Sequence, residues 1–520
     1  MNRGLIAALL VITGIGALLR SIPVFANGFP LNDGGLFLAM AEEIRHGWPG
    51  LPETVIYNRE ALPLAYPPLG LYLTAGVITL GMDGTLALQV IPVVVSIATI
   101  PAAYLLFRRL LDTELLILVA TAAFAVIPRA YEVTVAGGGV TRGPGLLLAL
   151  LALVKALDWM RSERPSDAIF TGVLLGASGL SHPQAGVFAA SSLLILAAFR
   201  APRARSTAVQ LVGVLLIAAL LAAPWLLVVV QRHGLETLIG AFGTGGSTFE
   251  GLLLLAGLRF SDGLFEIAGV IGIVGLVLTG MKREWLYPTW FVVTVLVSSR
   301  AGLNYGAAVL GIGVAVAVGE LLRVFAGPGL RDLPDMRRSR LATGVLAGLA
   351  LLAVADSAAS RLNPTSPLHG LSPQSRDAIA WIADNTPEGS TVLVLSGTGW
   401  FIDAPSEWMP LLSGRRSSAT VQGSEWLGRG VFRERESQYV WLQSCAADTR
   451  DNCVAEWERV VEPVDYVLAL DSRVADGLGQ PCCLEVVAAL ADAGADVVYE
   501  NREAIVLDLP DEPLSALSGS

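Results

Sequence analysis

The sequence predicts a polytopic α-helical membrane protein that ends in a smaller α/β domain outside the membrane. Of its 520 residues, 53% are hydrophobic and 15% charged, and the mean hydropathy is +0.61. A soluble protein of this size carries roughly a quarter charged residues. Apolar runs recur from residue 4 to about residue 358, each near the ~20 residues that a bilayer-spanning helix needs.

Eleven segments are predicted to span the membrane, and the basic residues between them orient the chain. Arg and Lys cluster in alternate loops, which the positive-inside rule assigns to the cytoplasm. The protein is therefore expected in the plasma membrane as a multi-pass protein with a cytoplasmic N-terminus. The segments are residues 4–26, 86–107, 112–130, 143–160, 166–181, 185–199, 206–230, 262–281, 286–299, 303–325 and 340–358.

One further apolar segment, Pro67 to Gly81, is predicted not to span. Counting it as a span would place Arg108 and Arg109 outside and the C-terminal domain in the cytoplasm. We expect it to be a juxtamembrane or re-entrant helix within the outer loop 27–85. Residues 1–358 then form the transmembrane domain.

Residues 359–520 are predicted to form the extracytoplasmic α/β domain. Ser372-Pro373 is typical of a helix start, and strand patterns follow at 391–395, 466–470, 497–499 and 504–507. All four cysteines lie in the last quarter of the chain, which suggests disulfides and an oxidising compartment. Their spacing fits zinc sites poorly, and it leaves three pairings open. The cysteines are Cys445, Cys453, Cys482 and Cys483.

The net charge of −10 excludes one class of partner. A nucleic-acid-binding protein needs a basic face, so no nucleic acid is expected.

A carboxylate stands where the first apolar segment leaves the membrane, in Leu31-Asn32-Asp33-Gly34-Gly35. If residues 34–46 form a helix, its apolar face includes Leu36 and Ile44, and the register extended back puts Asp33 over that face. A carboxylate there is costly unless it has a partner or a function, which makes Asp33 the candidate catalytic residue. The alternative is that Asp33 caps the N-terminus of this helix.

The second outer loop, residues 128–142, contains one acidic residue, a triple glycine and Arg142. The glycines at 137–139 would let the backbone approach a ligand closely. Arg142, at a helix start, is suited to hold a phosphate. The alternative is a flexible loop with solvated charges.

Other polar residues mark the outer ends of the predicted helices. Taken singly, such residues more often anchor a helix at the membrane interface. Several cations and one carboxylate on a single membrane face suit a phosphate-bearing, lipid-linked substrate. The candidate substrate-binding residues are Glu132, Arg142, His182, Arg232, His233, Arg300 and Tyr305.

Two tryptophan-rich stretches in the C-terminal domain, residues 400–403 and 406–410, combine aromatic side chains with charges. They fit stacking on sugars and contact with the membrane surface equally well.

These residues resemble the GT-C superfamily, polytopic glycosyltransferases that use polyprenyl-phosphate-linked sugars on the outer membrane face. The resemblance rests on Asp33 in Asn-Asp-Gly-Gly-Leu-Phe after the first span, on Tyr66-Pro67-Pro68-Leu69, and on a loop with Pro128 after the third span. Oligosaccharyltransferases and protein mannosyltransferases share this layout. The resemblance covers about residues 1–180 by order of elements.

The resemblance implies glycosylation chemistry in the cell envelope, with an inverting transfer from a polyprenyl-phosphate-linked donor to a lipid, glycan or protein acceptor. One general base, Asp33, suffices because the leaving phosphate needs little protonation. Cationic side chains stabilise the charge that grows on the phosphate, and Glu132 and His182 would contact the sugar or position a metal. The candidate phosphate-holding residues are Arg142, Arg232 and Arg300. Membrane lipids are the remaining partners.

Two departures from the family pattern bear on this expectation. The C-terminal part has no Trp-Trp-Asp-Tyr-Gly motif, which argues against a true oligosaccharyltransferase. The second outer loop has Glu132 alone and no Asp-x-Asp or Asp-x-Glu pair. The sequence therefore names no certain cofactor and leaves a divalent metal, magnesium or manganese, open.

Two other classes also fit a polytopic chain. A transporter or flippase for a lipid-linked glycan is one, although the sequence has no inverted repeat and no clear charge relay inside the spans. A non-catalytic membrane protein with a sugar-binding outer domain is the other.

Overall fold

A computed structural model of the chain describes most of its residues. The described ranges are 3–200, 204–244, 267–298, 301–326, 340–363, 366–447, 452–470 and 482–510.

Nineteen α-helices and seven strands make up the described part of the chain. The helices are α1 (Arg3–Asn27), α2 (Gly35–His46), α3 (Leu69–Thr79), α4 (Gly84–Leu110), α5 (Glu114–Val126), α6 (Glu132–Val135), α7 (Gly139–Ser162), α8 (Pro165–Ser181), α9 (Pro183–Arg200), α10 (Ala204–Phe242), α11 (Ile267–Met281), α12 (Leu286–Val297), α13 (Gly302–Ala326), α14 (Arg340–Ala359), α15 (Pro373–Asn385), α16 (Ala404–Ser413), α17 (Arg429–Ala447), α18 (Cys453–Val460) and α19 (Leu484–Asp492). The strands are β1 (Thr54–Tyr57), β2 (Glu60–Pro63), β3 (Thr391–Leu395), β4 (Arg416–Ser417), β5 (Tyr466–Leu470), β6 (Asp496–Glu500) and β7 (Ala504–Asp508).

A helix lies at each of the eleven segments that hydropathy marks as spans, namely α1, α4, α5 and α7 to α14. Seven helices of the described chain are long and apolar enough to cross a membrane: α1, α4, α7, α9, α10, α13 and α14. The prediction of a polytopic helical membrane protein is confirmed. The number eleven stays a prediction, because α5, α11 and α12 are shorter apolar helices and α8 has only 17 residues.

The apolar segment after Tyr66 forms α3, which has 11 residues. At 1.5 Å per residue it is about 16 Å long, roughly half the thickness of the hydrocarbon core. This length suits a juxtamembrane or re-entrant helix. The same outer loop holds a β1–β2 hairpin that was not predicted from the sequence. Both of its turn residues, Asn58 and Arg59, have positive φ.

Small residues allow the membrane helices to cross closely. At the contact between α11 and α13, a Cβ on Gly275 would overlap the backbone of Gly313, and a Cβ on Gly313 would overlap Gly272. Close backbone approach at glycine is a common way of packing helices in a membrane, where dispersion contacts replace the hydrophobic effect.

The C-terminal region contains a five-stranded sheet in the order β4-β3-β5-β7-β6. The pairings of β3 with β4 and β5 are parallel, and those of β7 with β5 and β6 are antiparallel. Helix α15 begins as expected, because the Ser372 side chain accepts from the backbone N–H of Ser375 and proline follows at the first helical position. The cysteines pair as Cys445–Cys453 and Cys482–Cys483.

The outer loop and the C-terminal region share one hydrophobic core. Met40 of α2, Leu71 of α3, Trp408 of α16 and Val394 of β3 are buried in the same cluster. The domain boundary between residues 358 and 359 is still a prediction, and the structure adds that the two sides of it pack together around the Asp33 turn.

Candidate active site

Asp33 lies in a tight turn between α1 and α2, where Asn32 has a φ of 51° and Gly34 a φ of 154°. Its Oδ1 accepts a hydrogen bond of 3.0 Å from the backbone N–H of Gly138, and its Oδ2 forms an ion pair with Arg142. The residue at the N-cap of α2 is Gly34, and no side chain of the N-cap bonds to the helix. The interpretation of Asp33 as the helix cap is therefore wrong, and its carboxylate faces the second outer loop instead.

The triple glycine, residues 137–139, allows the second outer loop to contact the Asp33 turn. The N–H of Gly137 donates to the carbonyl of Leu31 at 2.9 Å, and a Cβ on Gly137 would overlap the backbone oxygen of Asp33. A Cβ on Gly138 would lie 2.7 Å from Asp33 Oδ2 and 2.9 Å from Arg142 Nη1. The glycines were expected to let backbone approach a ligand; in the structure they let it approach the Asp33 turn.

A second carboxyl group, Glu407 of α16, reaches the same turn from the C-terminal region. Its Oε1 accepts from the backbone N–H of Gly34 at 2.9 Å, and the residue is only 2% exposed. Burial, and then the nearby charge of Asp33, raise the pKa of Glu407 to about 8. The raised pKa favours the neutral form of this carboxyl group.

Tyr66, from the Tyr-Pro-Pro-Leu motif, joins the outer loop to the membrane helices. Its hydroxyl lies 2.8 Å from His182 Nδ1 and 3.2 Å from Thr141 Oγ1. Burial raises the pKa of Tyr66 to about 12, so this hydroxyl keeps its proton. The ring also packs edge-on against Phe37 at a centroid distance of 5.3 Å. Tyr66 therefore ties the start of α7 and the end of α8 to α2.

A second ion pair lies on the membrane side. Arg129 Nη1 is 3.3 Å from Glu132 Oε1, and the Glu132 side chain is fully buried. Asn304 of α13 donates to the backbone carbonyl of Arg129 at 3.1 Å. Burying this pair is tolerable because each charge has an opposite partner.

These groups surround one cavity of about 1040 Å³, between the membrane helices and the C-terminal region. Such a volume is at the upper end of the range for small-molecule sites. Five of the eight candidate residues line it: Asp33, Glu132, Arg142, His182 and Tyr305.

The other three candidates are placed differently. Arg232 donates to the backbone carbonyls of Leu51 at 2.7 Å and Pro52 at 3.3 Å, and neither it nor His233 is among the cavity-lining residues. Both lie just before a break in α10 at Gly234, where φ is 78° and ψ is 166°, and a second helical segment runs on to Phe242. Arg300 lies outside the residues that the structure describes.

Several lining residues were not assigned from the sequence. Trp400, Phe401 and Glu407 come from the tryptophan-rich stretches, which fitted a sugar site and a membrane contact equally well, and they face the cavity. Arg129 and Asn304 gave no pattern by which they could have been found. Tyr66 did carry a usable signal, its place in the Tyr-Pro-Pro-Leu motif.

Within the described ranges, no group of three or more His, Cys, Asp or Glu side chains comes together as a metal site. The divalent metal that the sequence leaves open stays a prediction.

Several solved structures are similar to this chain, among them the following three. The oligosaccharyltransferase of Archaeoglobus fulgidus, tethered with an acceptor peptide, has a TM-score of 0.58 at 15% identity, over 91% of this chain and 70% of its own. The arabinofuranosyltransferase AftD from Mycobacteria has a TM-score of 0.54 at 15% identity, over 98% of this chain and 42% of its own. ArnT from Cupriavidus metallidurans in the apo state has a TM-score of 0.50 at 13% identity, over 98% of both chains.

A family model agrees with the fold. Residues 65–227 match the model of the dolichyl-phosphate-mannose-protein mannosyltransferases. Among proteins of curated function, none matches this sequence.

The chain shares the fold of these polytopic membrane glycosyltransferases. The fold and the match over residues 65–227 agree with the resemblance to the GT-C superfamily that the Asp33, Tyr66 and Pro128 motifs carry. The stretch that matches the mannosyltransferase model includes Tyr66, Glu132, Arg142 and His182.

Proposed function

We propose that the chain transfers a sugar from a polyprenyl-phosphate-linked donor to an acceptor hydroxyl or amide in the cavity beside Asp33. The observation that carries the proposal is the Asp33 carboxylate, held at the cavity wall by Gly138 N–H and Arg142. The matched family model names a lipid-phosphate-linked sugar as donor, which supports a donor of this class.

Asp33 acts as the general base. It takes the proton of the acceptor while the acceptor atom bonds to the anomeric carbon from the face opposite the phosphate. The bond from that carbon to the phosphate oxygen breaks, the phosphate leaves with the electron pair, and the anomeric configuration inverts. Because a phosphate is a good leaving group, no second acid is required.

Arg142 has two tasks in this mechanism. Its ion pair fixes the direction of the Asp33 carboxylate, and its cationic charge stabilises the negative charge that develops on the departing phosphate. Arg129, on the membrane side of the cavity, is the second cation within reach of a phosphate that enters from the bilayer.

The reaction takes place on the outer face of the plasma membrane, with the N-terminus in the cytoplasm. The basic residues at the ends of α4 and α7, Arg108, Arg109 and Arg161, lie at the helix ends remote from the Asp33 turn. Under the positive-inside rule those ends are cytoplasmic. The two disulfides of the C-terminal region support the same orientation.

Purified protein, a synthetic polyprenyl phosphate that carries a labelled mannose, and acceptor membranes from cells lacking this chain provide the test. Asp33→Asn keeps the acceptor atom for Gly138 N–H but cannot take a proton, so we expect transfer to fall by about 10²–10⁴-fold. The control is Asp384→Asn, an exposed carboxylate at the end of α15.

The other two classes of protein predict different results in this assay. A flippase would move the donor across the bilayer without releasing polyprenyl phosphate. A non-catalytic sugar-binding protein would neither move the donor nor release polyprenyl phosphate. Transfer by Asp33→Asn at the wild-type rate would contradict the assignment of the base.

A further inference from the structure

The C-terminal region holds the Asp33 turn through several direct bonds. Glu407 Oε1 accepts from Gly34 N–H at 2.9 Å, Trp408 Nε1 donates to the Asn32 carbonyl at 3.0 Å, and the Asn32 side-chain amide donates to the Phe401 carbonyl at 3.1 Å. The residues on both sides of Asp33 are thus fixed by α16 and the loop before it.

Glu407 is itself held in place from two sides. The hydroxyl of Tyr57, on β1, donates to the Glu407 carbonyl at 2.5 Å. Trp408 packs edge-on against Phe29 at 4.7 Å between ring centroids. A Cβ on Gly35 would come within 3.1 Å of the Glu407 carbonyl oxygen. The side chain therefore reaches Gly34 from a rigid base.

Glu407 also supplies a hydrogen-bond acceptor at the N-terminus of α2. The first N–H groups of a helix have no partner within the helix, and the N-cap residue Gly34 has no side chain to supply one. A carboxyl oxygen at this end satisfies one such donor. Here the acceptor comes from a residue 373 positions further along the chain.

We propose that Glu407 is a positioning residue, which caps α2 from the C-terminal region and thereby sets the place of the Asp33 carboxylate in the cavity. The inference rests on the proposed function, because it assigns a role in presenting the base. It extends that function by making the C-terminal region part of the machinery of transfer.

Burial and the neighbouring Asp33 charge raise the pKa of Glu407, which favours its neutral carboxyl form. The charged and titratable groups that interact with it are Asp33, Arg142 and Tyr57, and Tyr66 and Glu425 line the same cavity. A second full negative charge beside Asp33 would compete for Arg142 and repel the donor phosphate. The carbonyl oxygen of the neutral group is sufficient to accept from Gly34 N–H.

Two substitutions distinguish a positioning role of Glu407 from a role that depends on its negative charge. Glu407→Gln keeps the length and the acceptor oxygen without a charge, and we expect a rate within about threefold of wild type. Glu407→Asp keeps the acid but is one methylene too short to reach Gly34 N–H. We expect Glu407→Asp to lose about tenfold or more in kcat for the mannosyl donor, with little change in KM, because small displacements of a base cost this much.

A second readout does not depend on turnover. Hydrogen–deuterium exchange of the peptide 34–46 should be faster in Glu407→Asp than in wild type, and unchanged in Glu407→Gln. Glu388→Gln, an exposed glutamate after α15, is the control for both readouts.

The outcomes are distinct. If exchange responds as stated but wild type transfers no sugar, the positioning role stands and the proposed function fails. If Glu407→Gln loses as much rate as Glu407→Asp, or if neither variant changes exchange at 34–46, the proposed positioning role is overturned.

Discussion

At Gly138 the backbone has a φ of −66° and a ψ of −4°, a conformation open to any residue, so glycine is required there only for space. Gly138→Ala would push a methyl group to 2.7 Å from both Asp33 Oδ2 and Phe37 Cε2. We expect transfer to fall about tenfold or more, since the base is displaced, at a stability cost of about 1–3 kcal/mol from overpacking. Initial rates and thermal unfolding in detergent measure the two effects.

Gly76→Ala is the matched control. Gly76 lies in α3, and a Cβ there would meet no atom within 4 Å, so alanine should stabilise the helix slightly and leave the rate unchanged. Equal rate losses at Gly138 and Gly76 would contradict the spatial argument.

Glu407 makes the stability of the protein depend on pH. Its pKa is raised from 4.5 to about 8 in the folded protein, so between these two values folding takes up a proton and stability falls as the pH rises. Glu407→Gln carries no such dependence. The difference in apparent unfolding temperature, variant minus wild type, should therefore grow from pH 5 to pH 8 and level off above pH 8.

Glu388→Gln again serves as the control, because that side chain is exposed and its difference from wild type should be small throughout. A difference for Glu407→Gln that does not vary with pH would mean that Glu407 is ionised in the folded protein.

At the scale of elements, hydropathy placed the helices well because each bilayer-spanning helix needs a long apolar run regardless of its neighbours. The strands β3, β5 and β7 were also predictable, being short apolar runs between turn signals. The β1–β2 hairpin was missed since Thr54–Tyr57 and Glu60–Pro63 are short and mixed in polarity. Its stability comes from packing of Val55 and Leu62 into the shared core.

Some residues of the candidate site could likewise be predicted from the sequence and others could not. Asp33 and Arg142 could be found because each belongs to a local pattern, a carboxylate at a helix exit and an arginine after three glycines. Glu407 could not, because its partner Gly34 is distant in sequence and only the folded chain brings them together. The alternative in which Asp33 caps α2 was reasonable locally, and tertiary contact with Gly138 decided against it.

The orientation of α3 provides a test at this scale. If α3 does not cross the membrane, the residues before and after it lie on the same outer side. Ile56 on β1 and Leu80 at the end of α3 are 65% and 89% exposed. We expect Ile56→Cys and Leu80→Cys both to react with an impermeant maleimide in intact cells.

Glu163→Cys, in the exposed connection between α7 and α8, should react only after the membrane is permeabilised. The native cysteines add no background, because all four are paired in disulfides. Labelling of Leu80→Cys only after permeabilisation would show that α3 spans the bilayer.

At the scale of the whole molecule, the C-terminal region is joined to the outer loop by polar as well as apolar contacts. Arg435 of α17 forms a two-bond ion pair with Glu60 of β2, at 2.7 and 3.1 Å. The amide of Asn58 bonds in both directions with Ser417, at 2.9 and 2.6 Å. We infer that the region behaves as one wall of the cavity, and its separation from the loop would open the site to water.

Two buried tryptophans allow this coupling to be measured. Trp408 donates from Nε1 to the Asn32 carbonyl at 3.0 Å, and Trp457 donates from Nε1 to Ser418 Oγ at 2.8 Å. Both side chains are less than 2% exposed. Trp408→Phe removes a buried hydrogen bond and Trp457→Phe a part-buried one, each at a cost of about 1 kcal/mol.

Only the bond of Trp408 ends at the residue next to Asp33. We therefore expect both variants to unfold at similarly lowered temperatures, while Trp408→Phe alone reduces kcat for transfer, because the Asp33 turn has lost a support. If Trp457→Phe reduces kcat equally, the effect reflects the general stability of the C-terminal region. The rates should be compared at a temperature well below both unfolding transitions, where the two variants are equally folded and only the geometry of the turn differs.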